Sequence, residues 1–240
     1  MVGVDLGAAS ARLRAAAADL VFGSTCAGCG EVPGLLCARC RLELDRPAHD
    51  VSAVGGVAEL RVAAAAPYAD AVRAVILDHK ERGRLGLARP LGDALAIAVT
   101  AVLADNAGCA WCGSRPVALV PAPSTPAATR LRGHDPLVRA TRRAAVVLRR
   151  AGQAAVVVTA LVHRRGVADQ AGLGRAARDA NLRGALAVRR SAADLLVSHC
   201  VVVVDDVLTS GATLREAARA LASAGRPACG AAVVARAGSG

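Results

Sequence analysis

The chain has 240 residues, and its 30 Lys and Arg against 19 Asp and Glu give a formal net charge of +11. It is 54% hydrophobic but only 1% aromatic, so Ala and Val supply much of the apolar content. The core is therefore expected to be fine-grained, and the aromatic platforms on which single-stranded bases stack are nearly missing. The positive charge suits a polyanionic ligand such as a pyrophosphate, a nucleotide or a nucleic acid, and equally a solvated, arginine-rich surface. The length suffices for one substantial domain and a small module. The apolar run 94–104 lies between Asp93 and Asp105 and is too short to cross a bilayer. No basic start followed by an apolar stretch marks the N-terminus. The expectation is a cytoplasmic protein with no membrane span.

In chain order, residues 8–21 read as a short amphipathic helix, with Leu13, Ala17, Leu20 and Val21 on one side. Next comes CAGCGEVPGLLCARC, carrying Cys26, Cys29, Cys37 and Cys40 in two CxxC pairs, with Gly28 and Gly30 in the first turn. Four thiolates at this spacing can surround one structural, tetrahedral zinc; the other reading is four reduced, metal-free thiols. A cytoplasmic setting argues against disulfides. So small a module has no core of its own, so metal would supply its folding energy. Residues 41–57 look like a linker, with Pro47, Gly55 and Gly56. The module is accordingly drawn as residues 1–57 and the larger domain as 58–240. Residues 59–66 read as a strand and 68–82 as a helix with Lys80 near its end, followed by Glu81-Arg82-Gly83-Arg84. A second helix is predicted over 87–103.

Cys109 and Cys112 flank the lone Trp111; a single pair cannot close a zinc site, and two reduced thiols in a loop is the simpler reading. Residues 117–123, VALVPAP, are a strand running into a Pro-punctuated loop, followed by Arg130, Arg132 and Gly133. Asp135 then Pro136 read as the N-cap and first residue of a helix to about Arg150, with Gly152 behind it. Residues 155–161 read as a strand. The arginine-rich stretch 163–184 is too long and too charged for an ordinary connection, and is a candidate lid. Strands separated by helices predict a parallel α/β sheet with its site at the carboxyl ends of the strands. The GxGxxA match at 172–177 has no strand before it, and no GxxxxGK[ST] occurs, so neither a dinucleotide fingerprint nor a P-loop is supported.

The most informative stretch is 201–214, VVVVDDVLTSGATL. Four β-branched residues read as a strand buried on both faces, stopping at Asp205 and Asp206. Side chains alternate along a strand, so both acids can serve one site only if pairing ends about there. The small, hydroxylated loop Thr209-Ser210-Gly211-Ala212-Thr213 leads into a helix over 214–224 that ends at Gly225. Strand, loop and helix N-terminus form a phosphate cradle in which backbone N–H groups, helix dipole and hydroxyls all favour an anion. Gly211 would let the backbone approach that phosphate. Carboxylates repel phosphate, so the acids should hold another part of the same ligand. Vicinal ribose hydroxyls, with or without Mg²⁺, fit. The implied ligand is a 5′-phosphorylated ribose.

This stretch resembles the phosphoribosyl-pyrophosphate (PRPP) signature of type I phosphoribosyltransferases. By that resemblance Asp205 and Asp206 hold the ribose, while Thr209, Ser210, Gly211, Ala212 and Thr213 hold the 5′-phosphate. Four blocks in order make residues 26–236 resemble the ComF family (ComFC/GntX-like). They are Tyr68-Ala69-Asp70 through Lys80 and Arg82-Gly83-Arg84; VPAPSTPAATRLRGHD from Val120 to Asp135; Arg164, Gln170, Leu173, Arg178, Asn181 and Gly184; and the acidic signature. The resemblance implies an α/β, type I phosphoribosyltransferase-like parallel sheet flanked by helices, with a small N-terminal zinc-binding module. It implies transfer or binding of a 5-phosphoribosyl group with Mg²⁺ and PRPP or a 5-phosphoribosyl nucleotide. It offers Arg130 and Arg132 for pyrophosphate, and Arg164, Arg178 and Asn181 to close over the site. It also implies a link to competence and DNA uptake. A non-catalytic accessory that meets single-stranded DNA or a DNA-uptake helicase, using the pocket for a nucleotide, is the alternative. His134-Asp135-Pro136 stands where the family has Phe-Asn-Gln, Ser210 where it has Thr, and Glu81 where it has Tyr.

Overall fold

The structure is a computed structural model and describes residues 25–31, 33–46, 50–54, 60–106, 115–164 and 182–238. The helix predicted at 8–21, Cys109, Trp111, Cys112, the 172–177 segment, and Gln170, Leu173, Arg178 and Asn181 lie outside them. Valine- and alanine-rich runs form the strands of the main sheet, as predicted for a sheet buried on both faces. They are β2 (Leu60–Pro67), β3 (Val117–Pro121), β4 (Ala155–Val157), β7 (Cys200–Leu208) and β8 (Gly230–Arg236), all mutually parallel in the order β2-β8-β7-β3-β4. Every residue of β3 is buried, as are the first five of β7 and the first six of β8.

Helices cover both faces. On one side lie α2 (Asp70–Lys80), α3 (Ala88–Asp105) and α5 (Pro136–Arg150), packed over Val202, Val204, Ala232 and Val234. On the other, α7 (Ala212–Ser223) packs over Val201, Val203, Ala231 and Val233. There too lies a two-stranded antiparallel sheet, β5 (Leu161–His163) with β6 (Leu186–Val188). The buried Glu216 of α7 accepts from the Leu186 amide at 3.0 Å and from Arg219 Nε and Nη2 at 2.7 Å, which fastens the helix to β6. A short helix α6 (Arg190–Ala193) leads towards β7.

Several elements differ from expectation. The stretch 41–57 is not a plain linker. Helix α1 (Ala38–Leu44) runs into it, and β1 (Asp50–Val54) pairs antiparallel with β2, from Asp50↔Ala64 to Val54↔Leu60. Backbone pairing with the open edge of β2 makes this strand, and five residues carry too little periodicity to announce it. Leu44 and Ala27 join the main core. The strand predicted at 155–161 is two strands. The Ala160 amide bonds back to the Val158 carbonyl at 2.8 Å, a γ-turn-like kink that takes Leu161 out of the main sheet. The Pro-punctuated loop holds helix α4 (Pro126–Arg132), capped by Thr125 through the Ala128 amide at 3.3 Å and ended by Gly133 at φ 73°. Asp135 and Pro136 start α5 as predicted, with Asp135 Oδ1 accepting from Val138 N at 3.1 Å.

The helical segment Leu85–Asp105 is long and apolar enough, by length and composition, to cross a membrane. Here it is a core helix. Leu91, Ala94, Leu95, Ala98, Val99 and Val102 are buried, and Asp93 is paired at 2.6 Å with both Arg41 and Arg143.

Helix α3 meets α5 at Gly92, where an added Cβ would stand 2.5 Å from the Ala140 carbonyl oxygen and 2.5 Å from Arg143 Cβ. Both neighbours are held, one in backbone and one by an ion pair. Gly92→Ala therefore forces the helices apart and should lower stability by about 1–3 kcal/mol, despite the better helix propensity of Ala. Urea unfolding reads this directly, and an unchanged midpoint would show that the helices separate freely.

Candidate functional site

The main sheet delivers its carboxyl ends to one edge. There β7 pairs with β3 only as far as Val204↔Pro121, but stays paired with β8 through Leu208↔Arg236. The expected stop at the acids thus occurs on one side only, because β3 turns away at Pro121 while β8 runs on. Asp205 and Asp206 project past the end of β3 and are only partly exposed. Asp206 continues the series of Val202 and Val204, on the face covered by α2, and Asp205 continues that of Val201 and Val203.

Across the strand stands Lys80, the last residue of α2, whose Nζ donates to Asp206 Oδ2 at 2.6 Å. Burial pulls the Lys80 ammonium down, but the Asp206 carboxylate outweighs it and holds the lysine above its ordinary value. Burial, then the negative charge of Asp206, push Asp205 up to about 8, only partly relieved by Lys80 and by the Asp206 amide, which bonds Asp205 Oδ1 at 2.9 Å. Asp206 is thus paired with Lys80, while burial and its neighbour disfavour the charged form of Asp205. In the sequence Lys80 stands near a helix end and within a block of the family resemblance, with no site role assigned to it. The signal that marks it is a cation on the last turn of a helix, directed at the carboxyl edge of the sheet.

The cradle loop leads from Leu208 into α7. Gly211 has φ 77°, a left-handed conformation that favours glycine. Its missing Cβ would meet Val54 Cγ1 at 2.6 Å and Arg215 Nη1 at 3.2 Å, so in this structure packing against β1 and the arginine demands glycine. Ser210 Oγ accepts from the Ala212 amide at 3.3 Å, and Arg215 Nη1 donates to the Ser210 carbonyl at 2.8 Å. Thr209 is exposed and Thr213 half-buried.

Of the predicted arginines, Arg132 reaches this edge: its Nη2 donates to Glu81 Oε1 at 2.9 Å, next to Lys80. Arg130 is exposed on α4, and Arg164 is exposed just after β5. His163, on β5, meets the Pro123 carbonyl at 3.1 Å through Nε2, which ties the start of the predicted lid to the loop after β3. Arg178 and Asn181 are outside the described residues.

The second constellation is the cysteine cluster. The sulfurs of Cys26, Cys29, Cys37 and Cys40 all lie within 4.8 Å of one another, with Cys29 and Cys37 at 3.9 Å. Tetrahedral zinc with ~2.3 Å bonds needs sulfurs about 3.8 Å apart, so the cluster fits a metal such as zinc. Burial raises Cys26, but the amides of Cys37, Cys29 and Gly28 outweigh it and bring the thiol down to about 6. The Cys37 and Gly28 amides stand 3.3 and 3.4 Å from its sulfur. Cys40 is pushed well up, by burial first and then by its thiol neighbours. Such a set holds four thiolates only around a cation. Gly28 is packed against it, since a Cβ there would lie 2.7 Å from Cys40 Sγ.

Residues 136–240 match the phosphoribosyl transferase domain family. The match runs from the first residue of α5 through β7, the cradle loop, α7 and β8, and leaves α2 with Lys80 and the cysteine cluster outside it. The chain therefore carries a phosphoribosyltransferase-type domain, which supports PRPP-binding, phosphoribosyltransferase-like function. No curated protein matches the chain.

The upward shift of Asp205 has a measurable consequence. Its folded pKa, about 8, lies above the ordinary value of 3.8. Between those values the folded chain holds a proton that the unfolded chain has released. This group's contribution to stability is therefore greatest at low pH and is lost as pH rises from about 4 to about 8. Asp205→Asn should remove that downward slope from a stability-versus-pH curve; an identical slope in the variant would refute the assignment. For the cluster, purified protein should hold one zinc per chain, and Cys37→Ser with Cys40→Ser should abolish it, as read by elemental analysis.

Proposed function

We propose that this protein binds PRPP with Mg²⁺ at the β7–α7 edge and transfers its 5-phosphoribosyl group to an acceptor, as a cytoplasmic member of the ComF family linked to DNA uptake. The observation that carries the reading is the adjacent carboxylates, one matched by Lys80, at the edge of a parallel sheet and beside a helix-entry loop. Asp205 and Asp206 are suited to vicinal ribose hydroxyls, and Thr209, Ser210, Gly211, Ala212 and Thr213 to the 5′-phosphate. Lys80 and Arg132 supply positive charge for the pyrophosphate, with Arg130, Arg164, Arg178 and Asn181 as further candidates. The acceptor nucleophile forms a bond to ribose C1 as the bond from C1 to the pyrophosphate oxygen breaks. Positive charge develops on the ribose, so the chain contributes mainly positioning and electrostatics. Mg²⁺ would neutralise pyrophosphate charge, and zinc in the cysteine cluster would be structural.

A second reading is an accessory protein that meets single-stranded DNA or a helicase. It is favoured by Arg139, Arg142 and Arg150, exposed on α5 at spacings that share a face. Phosphate contacts of that kind weaken steeply with salt, so DNA affinity that does not change with salt would discard it.

Pyrophosphate release from PRPP and Mg²⁺ in the presence of a nucleobase and small-molecule pool tests the transferase reading. Asp206→Asn should lower PRPP affinity by about tenfold or more, the worth of a charged hydrogen bond at about 1.5–3 kcal/mol, as read by calorimetry. Wild-type affinity in the folded variant would remove the acids from the site.

A further inference from the structure

We propose that the cysteine cluster is a clamp on Lys80, and that Arg84 is the positioning residue through which metal in that cluster sets the phosphoribosyl site. The proposal rests on the reading of Asp205, Asp206 and Lys80 as that site.

The argument begins with three consecutive residues on the last turn of α2, each fastened to a different part of the molecule. Asp78 is 5% exposed and accepts from Arg82, and from Arg84 Nη1 at 3.1 Å. His79 is 3% exposed, with Nδ1 at 3.3 Å from the Arg84 carbonyl and Nε2 at 3.2 Å from the Pro136 carbonyl of α5. Lys80 holds Asp206. A neutral imidazole donates from only one ring nitrogen, so Arg84 is bound to this turn through Asp78, by its guanidinium and by its own amide, which donates to the Asp78 carbonyl at 3.2 Å.

The same guanidinium has a second partner. Its Nη2 donates at 2.8 Å to the carbonyl of Thr25, the residue before Cys26. Thr25 is placed by the knuckle itself: it bridges to Pro33, and the Ala27 amide reaches the Leu35 carbonyl at 3.1 Å. The knuckle also touches the other end of α2, for a Cβ on Gly28 would lie 3.1 Å from Ala71 Cβ. Helix α2 is therefore gripped near its first residue and just beyond its last by the loop that the cysteines fold. A thiolate cluster of this size takes its folding energy from the metal, so losing the metal loosens Thr25 and removes one of the two partners that orient Arg84. Asp78 keeps the other, which makes the effect graded.

The test uses the full chain, loaded with zinc or stripped by a chelator, and measures affinity for PRPP with Mg²⁺ together with amide exchange over residues 78–84. Stripping zinc should weaken PRPP binding within the usual range of site-to-site coupling, about 5- to 150-fold, and speed exchange in that segment. Arg84→Met, which removes both guanidinium partners, should retain one zinc per chain, bind PRPP at least as weakly as the stripped wild type, and lose little more on stripping. Because coupling is reciprocal, PRPP should tighten zinc binding in the wild type and not in the variant. A zinc-loaded Arg84→Met protein with wild-type circular dichroism and wild-type PRPP affinity overturns the clamp, even if stripping unfolds the chain. If the loaded wild type binds no PRPP, the ligand-site reading falls separately. The clamp then stands or falls on whether zinc protects residues 78–84 in the wild type and not in Arg84→Met.

Discussion

The ion pair between Lys80 and Asp206 is the interaction on which the site depends. Two adjacent carboxylates at the rim of a buried parallel sheet cannot both be charged without compensation, because desolvation and mutual repulsion oppose it. The fold answers with one lysine, brought from 126 residues away in sequence at 2.6 Å, and leaves Asp205 pushed towards its protonated form. The acidic edge is thus close to neutral within, while the surrounding arginines leave it attractive to anions. A ligand offering hydroxyls to the acids and phosphates to the lysine can replace the internal pairing with a better distributed one.

Holding Lys80 there constrains the rest of the covered face. Helix α2 must end at the carboxyl edge, so its last turn is fixed by Asp78 and His79 to the loop behind it and to the start of α5. Helices α3 and α5 must approach closely to cover the same face, which they do over Gly92 and a bed of Ala and Val. A nearly aromatic-free core is consistent with this: small side chains let backbones approach, and close packing replaces bulk.

The cysteine cluster belongs to this framework rather than lying apart from it. Arg41 of α1 pairs with Asp93 on α3, which also takes Arg143 of α5, and Arg84 reaches Thr25. One partly exposed carboxylate thereby joins three helices, and the cysteine loop rests on the helix that carries Lys80. Strand β1 extends the sheet and places Val54 against Gly211, so the amino-terminal part of the chain supports the cradle loop as well.

The sequence by itself determined what depends on neighbours along the chain. The run VVVVDD reads as a buried strand ending in acids, Asp135-Pro136 as a capped helix start, and the two CxxC pairs as a metal-ligand set. In each case the chemistry is complete within a few residues. Tertiary structure decided what depends on partners far away. The strand β1 exists because β2 leaves an edge to pair, the run 155–161 breaks because β6 competes for its second half, and β7 continues past its acids because β8 does. It also decided the partner of Lys80, which the sequence places near a helix end without saying what it meets, by setting it against Asp206. A lysine's local surroundings carry no mark of which carboxylate it will meet; only the register of the sheet and the length of α2 place the two together.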